Sequence, residues 1–164
     1  MARQDDPSLD GLFQRLKSVD DPVASKALQD AIWQAWIYSP EREEMQLMLQ
    51  GIQAMQEQRE QDALAIFTEL CRLAPNFAEA WNKRATVNWL LDDYDASVAD
   101  IGRTLALEPR HWGALSGLAM IETERGNYAA AVRAYERALE ANPHLNDMRT
   151  ELERLKKILR DRGT

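Results

Sequence analysis

Apolar residues recur along most of this chain at spacings of three and four, and short polar segments interrupt the pattern at regular intervals. Such spacing places apolar side chains on one face of a helix that packs on a core. A proline follows every second helical segment, and Pro75, Pro109 and Pro143 are equally spaced, with a period of 34. Since a unit of this length holds two helices and two turns, the pattern predicts three helical hairpins. Their predicted boundaries are 44–77, 78–111 and 112–145.

The segments on either side of the three hairpins also have helical spacing. Residues 1–43 predict a divergent helical hairpin, because an apolar segment before Pro22 is followed by another that contains Trp33 and Trp36. Residues 146–164 place leucines between charged side chains, which predicts one amphipathic helix that caps the last hairpin. Together these patterns predict a single all-α domain of seven or eight helices without appreciable sheet.

Small and large residues stand at matching positions of the three hairpins. The third hairpin has the most complete set: Leu115, Leu118, Ala119, Gly126, Tyr128, Ala131, Tyr135, Ala138 and Pro143. The small residues let the two helices of a hairpin approach closely, and the large residues fill the remaining space. In the first two hairpins, Gln50 and Arg84 replace apolar residues of this pattern, which we interpret as drift.

This residue set at a period of 34 resembles the tetratricopeptide repeat (TPR) family, and the whole chain is similar to small bacterial TPR proteins with three full repeats. The resemblance implies an all-α solenoid of helical hairpins, wound as a right-handed superhelix with one concave side. It also implies a non-enzymatic protein-interaction module, an adaptor or scaffold that binds a peptide or helix of a protein partner.

In that family the first helix of each hairpin lines the concave groove, which implies a partner-binding surface on this chain. The implied groove residues are Met48, Ile52, Met55, Asn82, Thr86, Trp89, Gly113, Ser116, Gly117 and Met120. We expect an apolar, Met-lined groove, because flexible thioether side chains adapt to ligands of differing shape. Trp89 is the best single anchor, and Gly113 and Gly117 predict a notch on the neighbouring helix.

Two alternatives to this groove stay open. If the N-terminal hairpin folds across the inner side of the repeats, Met45, Met48 and Met55 form its core instead of a binding surface. The chain can also be a self-associating assembly subunit, a homo-oligomer that pairs through Trp33, Trp36 or the seam of the cap helix.

The resemblance also narrows the choice of partner. TPR domains that hold the carboxylate end of chaperone tails use lysine, asparagine and basic residues at fixed repeat positions. At those positions this chain has Met48, Ile52, Lys83, Gly113 and Gly117. If the repeat positions are counted from one unit earlier, the complete set of lysine, asparagine and basic residues of the clamp is also missing. We therefore expect no binding of a chaperone tail through a carboxylate clamp.

Composition and charge exclude other classes of partner. The 164 residues include 20 basic and 27 acidic side chains, for a net charge of −7. Because such acidity opposes contact with a phosphate backbone, we expect no nucleic-acid partner. No apolar run approaches the roughly 20 residues that span a bilayer. The first residues show no apolar export segment, so we expect a soluble cytoplasmic protein, and a periplasmic location stays open if an export signal is missing from this sequence.

Few side chains of the sequence suggest catalysis, metal binding or a reactive thiol. His111 and His144 follow two of the repeat prolines, where we expect solvent-exposed or capping roles rather than catalysis or metal binding. Cys71 is the single cysteine, so no intramolecular disulfide can form, and we expect a small buried thiol. Because the sequence places no nucleophile beside a base, we expect no enzyme activity, no catalytic residue, no cofactor and no metal site.

Overall fold

The computed structural model describes residues 4–162, which form nine α-helices and no strand. The helices are α1 (Ser8–Ser18), α2 (Pro22–Ile37), α3 (Arg42–Gln56), α4 (Glu60–Leu73), α5 (Ala78–Leu90), α6 (Tyr94–Leu107), α7 (Trp112–Glu124), α8 (Tyr128–Ala141) and α9 (Asn146–Arg162). The predicted all-α class is confirmed. The predicted count of seven or eight helices is wrong, because the N-terminal pair and the cap helix all form in addition to the six helices of the repeats.

Local chemistry at the turns determines where several helices begin. The Asp21 carboxylate accepts a hydrogen bond from the Ala24 backbone N–H at 2.7 Å, at the start of α2. Asp93 caps α6 in the same way, with the Ala96 N–H donating at 3.1 Å. Such caps satisfy N–H groups that have no partner within the helix. Between α7 and α8, Gly126 has a φ of +75°, a conformation that glycine adopts without strain.

The two helices of each hairpin approach closely where the pattern has small residues. Ala119 of α7 and Ala131 of α8 are fully buried in one cluster. A Cβ added to Gly51 of α3 would lie 2.5 Å from the Phe67 ring of α4, so the ring fits only against glycine. The small positions therefore set the separation of the paired helices.

Arg84 replaces an apolar residue because it forms an ion pair. Its guanidinium donates to both carboxylate oxygens of Asp100 in α6, at 2.8 and 2.7 Å. Asn88 donates to the same carboxylate at 3.1 Å, and Asp100 is only 4% exposed. Bidentate pairing with an additional hydrogen bond offsets the cost of burying the charge. The interpretation of Arg84 as drift is wrong, since a polar contact here joins α5 to α6.

The N-terminal helices pack against the turns that end the repeat hairpins. Three polar contacts join α1 and the residues before it to these turns: Gln4 to Asn76, Asp10 to Arg110, and Leu16 to His144. The three partners on the turns are one repeat period apart in sequence, so α1 crosses equivalent points of successive repeats.

His144 has a different role from the expected one. It is half-buried, and its ring Nε2–H donates to the Leu16 carbonyl at 2.9 Å. It is therefore one of the residues that hold α1 in place, rather than an exposed or capping histidine.

Candidate protein-binding groove

A cavity of about 230 Å³ opens between α5 and α7, the first helices of the second and third repeat hairpins. Side chains of α6 contribute to its wall. Its lining consists of small, apolar and neutral polar residues: Asn82, Ala85, Thr86, Trp89, Ser97, Ile101, Gly113, Ala114, Ser116, Gly117, Met120 and Ile121. Because no charged side chain is among them, the cavity suits an apolar group of a ligand.

Seven of the ten predicted groove residues lie together in this lining. They are Asn82, Thr86, Trp89, Gly113, Ser116, Gly117 and Met120. They come from two helices that α6 separates in sequence and that the repeat places side by side. Their role in binding a partner stays a prediction.

Met48, Ile52 and Met55 lie elsewhere. Met48 is 0% exposed and packs in a cluster with Phe67 of α4 and Val87 of α5. Ile52 and Met55 are half-buried against the same cluster. Met48 therefore fills the space between neighbouring hairpins, and its prediction as a groove residue is wrong. Of the three predicted methionines, Met120 is the most exposed, at 41%, and it lines the cavity.

The two predicted notch glycines differ in what lies beside them. A Cβ added to Gly117 would make an ordinary contact with Cδ1 of Ile101 of α6, at 3.5 Å, and Gly117 lines the cavity. A Cβ added to Gly113 would lie only 2.8 Å from the Trp33 ring of α2. A side chain at position 113 would thus overlap the Trp33 ring, whereas a Cβ at position 117 fits without a clash.

Trp89 forms part of the cavity wall and is half-buried. It packs against the cluster formed by Ala85, Ile101 and Ile121, among others. Its indole N–H is buried and has no hydrogen-bond partner within residues 4–162. Packing rather than a polar contact therefore holds the ring in place.

Glu79 and His111 form a fully buried polar pair at the opposite end of α5 and α7. The His111 Nε2–H donates to Glu79 at 2.7 Å, and Nδ1 accepts the Ala114 N–H at 3.2 Å. Lys83 lies 3.2 Å from the second carboxylate oxygen. Burial raises the pKa of Glu79, but the Lys83 charge and the His111 hydrogen bond outweigh it and hold that pKa below its ordinary value. Of the two expected roles for His111, exposed or capping, the capping role is confirmed.

Aromatic rings of α2 cover this pair. Trp36 stacks on the His111 ring with centroids 4.1 Å apart, and Trp33 meets the same ring edge-on at 5.4 Å. Trp112 packs against both tryptophans, and Trp36 is 1% exposed. Trp36 is therefore core and offers no surface for self-association, whereas association through Trp33 or the seam of the cap helix stays a prediction.

A second, wider opening of about 510 Å³ adjoins the cavity on the side of the cap helix. Ser116 and Met120 border both openings. The remaining lining comes from α7, α8 and α9: Thr123, Glu124, Tyr135, Asp147, Met148 and Glu151. Sequence reasoning missed this opening because it treated α9 only as a cap. The signal was present, since Asp147 follows Gly113 by one repeat period and thus stands at the matching position.

Three features of the described residues bear on metal binding, thiol chemistry and membrane insertion. Within residues 4–162, no group of three or more His, Cys, Asp or Glu side chains is arranged to hold a metal ion. Burial raises the pKa of Cys71 to about 12, so its thiol stays protonated at neutral pH. This confirms the prediction of a buried thiol. In the same range, no helix has the length and apolar character needed to cross a membrane.

Comparison with known proteins identifies relatives of this chain. A tetratricopeptide repeat family model matches residues 89–146. A TPR repeat-containing protein of Rhizobium etli is 38% identical over 135 residues, which cover 82% of this chain and 66% of that protein. The chain thus spans about two thirds of the length of this relative.

Several solved structures share the fold. The Sgt2 TPR domain from Aspergillus fumigatus superposes with a TM-score of 0.69 at 22% identity, over 76% of this chain and 84% of that one. The first TPR domain of Spaghetti (RPAP3), bound to the HSP90 peptide SRMEEVD, gives 0.68 at 19% identity, over 72% and 94%. The Yersinia enterocolitica secretion chaperone SycD, in complex with a peptide of YopD, gives 0.65 at 16% identity, over 73% and 93%. At these identities the similarity shows the fold alone.

Proposed function

The chain belongs to the tetratricopeptide repeat family, and we propose that it acts as a non-enzymatic interaction module that binds a peptide or helix of a partner protein in the cavity between α5 and α7. The observation that carries this proposal is the open apolar cavity with Trp89 in its wall and no charged residue in its lining. Amphipathic segments with apolar anchors commonly bind to grooves of this kind.

The size of the cavity favours a side chain over a whole small molecule. Pockets for drug-sized ligands occupy about 300–1,000 Å³, more than the 230 Å³ found here. An apolar cavity of about 150 Å³ in another protein is large enough to bind benzene. The cavity therefore fits one leucine, methionine or phenylalanine side chain, which is what a peptide anchor provides.

The partner we propose differs from the carboxylate ends that clamp-type TPR domains hold. Met48, at one clamp position, is buried, and Gly113, at another, is covered by Trp33. Neither position offers the lysine or arginine that a carboxylate requires. This supports the expectation that the chain does not use a carboxylate clamp, although structures with its fold bind chaperone peptides.

Selection from a random peptide library displayed on phage tests this function directly. Peptides selected on the immobilised protein would be titrated against the wild-type protein and the variants Trp89→Ala and Gly117→Leu. We expect Trp89→Ala to weaken binding by about 2 kcal/mol or more, as hot-spot aromatic residues do. We expect Gly117→Leu to abolish binding, because Gly117 lines the cavity and the added side chain would occupy part of it.

Gly102→Leu is the matched control. Gly102 lies on α6, where a Cβ would meet nothing within 4 Å, so the same substitution leaves the cavity unchanged. Binding to this variant should equal that of the wild type. If no peptide is selected, or if Gly117→Leu binds the selected peptides normally, the cavity is not the binding site.

A further inference from the structure

The opening between α7 and α9 continues the cavity and changes its chemistry from apolar to acidic. Ser116 and Met120 separate the two openings, so a ligand that leaves the cavity past Met120 enters the second opening directly. Three carboxylates line this second opening, and no lysine or arginine is among its lining residues. They are Glu124, Asp147 and Glu151.

The nearby basic side chains are already paired. Arg154 donates to Glu151 at 2.8 Å, which partly neutralises that carboxylate. Arg125 is held by Asp95 and lies 3.7 Å from Glu122, outside the opening. Asp147 and Glu124 are the two exposed acids of the lining, so they supply most of its negative potential.

The negative charge of Asp147 stabilises its own helix, whereas that of Glu124 does not. Asp147 lies in the first turn of α9, where a negative charge interacts favourably with the helix dipole. Glu124 is the last residue of α7, where the dipole disfavours a negative charge. The Tyr94 hydroxyl is a hydrogen-bonding neighbour of Glu124, but it is neutral and leaves the negative charge uncompensated. The charge of Glu124 beside the cavity therefore calls for a reason other than the stability of α7.

We infer that the partner segment carries a basic side chain, which binds between Glu124 and Asp147 while a neighbouring apolar side chain occupies the cavity beside Trp89. This inference rests on the proposed function of the cavity. Charge complementarity carries it: an apolar site borders an acidic one, on a protein whose net charge is −7. A lysine or arginine of the partner would pair with both carboxylates, and the same carboxylates would disfavour binding of acidic peptides.

The packing of the helices sets the distance between the two groups of the ligand. The cavity lies between α5 and α7, and the acidic opening lies between α7 and α9. The two openings lie on either side of α7, and a helix with its side chains is about 10–12 Å across, so the two sites are separated by about 10 Å. An extended peptide advances about 3.3 Å per residue. The basic residue therefore stands about three positions from the apolar anchor.

The same peptide selection tests this inference by the sequences that it yields. We expect the selected peptides to contain leucine, methionine, isoleucine or phenylalanine with lysine or arginine about three positions away. One such peptide would then be titrated by fluorescence anisotropy against the wild-type protein and the double variant Glu124→Gln/Asp147→Asn. Binding to the double variant should be about three- to tenfold weaker, the usual scale for the loss of two exposed charge contacts.

Glu43→Gln/Glu140→Gln is the matched control, because it removes two exposed carboxylates elsewhere and changes the net charge by the same amount. Its affinity should equal that of the wild type. A peptide in which the basic residue is replaced by norleucine should not distinguish the variants. The affinity of the basic peptide should also fall as salt rises from about 50 to about 500 mM, since screening weakens exposed charge contacts.

The outcomes separate this inference from the function on which it rests. If neutral or acidic peptides are selected, or if Glu124→Gln/Asp147→Asn binds the basic peptide as the wild type does, while Gly117→Leu abolishes binding, the inference is wrong and the proposed function stands. If Gly117→Leu has no effect, or no peptide is selected, both are wrong.

Discussion

The face formed by α5 and α7 has a glycine of α7 towards each end, Gly113 and Gly117, and the two glycines differ in what packs against them. At one end, Trp33 of α2 lies so close to Gly113 that a Cβ added there would be only 2.8 Å from the ring. At the other end, a Cβ added to Gly117 would make only an ordinary contact with Ile101, and Gly117 lines the open cavity. The first end is closed over a buried Glu79–His111 pair, and the second is open beside Trp89.

This difference indicates which end can accept a partner. Where a gap between helices serves only stability, the fold closes it with its own aromatic rings, because empty apolar space forfeits packing contacts. At the covered end, aromatic rings of α2 fill such a gap beside α5 and α7. The open end is what we expect of a surface that binds the proposed partner, and substitutions at both ends test the comparison.

Trp36→Ala should have the largest effect, at the covered end. Trp36 is 1% exposed and packs against His111, Trp33 and Trp112. Truncating a buried tryptophan costs about 3–5 kcal/mol, which urea unfolding would measure. Peptide affinity of the remaining folded protein should be unchanged, because the cavity lies at the other end. A decrease in the free energy of unfolding of less than about 1 kcal/mol would show that the packing of Trp36 over His111 does not stabilise the fold.

Glu79→Gln should reduce the free energy of unfolding by about 1.5–3 kcal/mol at neutral pH, because it weakens hydrogen bonds to a charged group. The pKa of Glu79 is held below its ordinary value in the folded state. Its contribution is thus fully present above the unfolded-state pKa of about 4.3 and is lost as the pH falls through the folded pKa. The difference between wild type and variant should therefore shrink as the pH falls below that value. Glu140→Gln, an exposed control, should stay within about 0.5 kcal/mol of the wild type.

The smallest effects on stability should come from substitutions of Gly113 and Gly117, which we expect to act in opposite directions. Gly113→Ala should destabilise the protein by about 1–3 kcal/mol, because the new methyl group overlaps the Trp33 ring. Gly117→Ala should be neutral or stabilise α7 by up to about 1 kcal/mol, since alanine favours the helix and Ile101 is at contact distance. Thermal unfolding of the two variants would check this, and equal shifts would contradict the difference between the two notches.

The repeat period predicts the fold well because its signal is local and occurs three times. Prolines at a spacing of 34 and small residues such as Ala119 and Ala131 identify helical hairpins before any contact is known. The same period places Asn82, Trp89 and Gly117 on neighbouring helices, and these residues do line one cavity.

The sequence does not reveal contacts between segments outside the period. Trp33 reaches Gly113 from a helix that precedes the repeats, and no periodic signal links the two positions. Met48 occupies a groove position of the repeat, yet it is buried because Phe67 and Val87 surround it. Arg84 and Asp100 were in principle detectable, as opposite charges on the paired helices α5 and α6. The contacts of Trp33 and Met48 depend on packing in three dimensions rather than on spacing.

The five tryptophans allow the most direct test of the central claim that the open end of α5 and α7 binds the partner. Trp89 lies at the open end, whereas Trp33, Trp36 and Trp112 lie at the covered end. Their indole N–H signals can be resolved in a ¹⁵N-correlated NMR spectrum and assigned by single substitution. On titration with a selected peptide, we expect the Trp89 signal to shift while the signals of the covered end stay in place. Shifts at Trp33 or Trp36 without a shift at Trp89 would contradict the account.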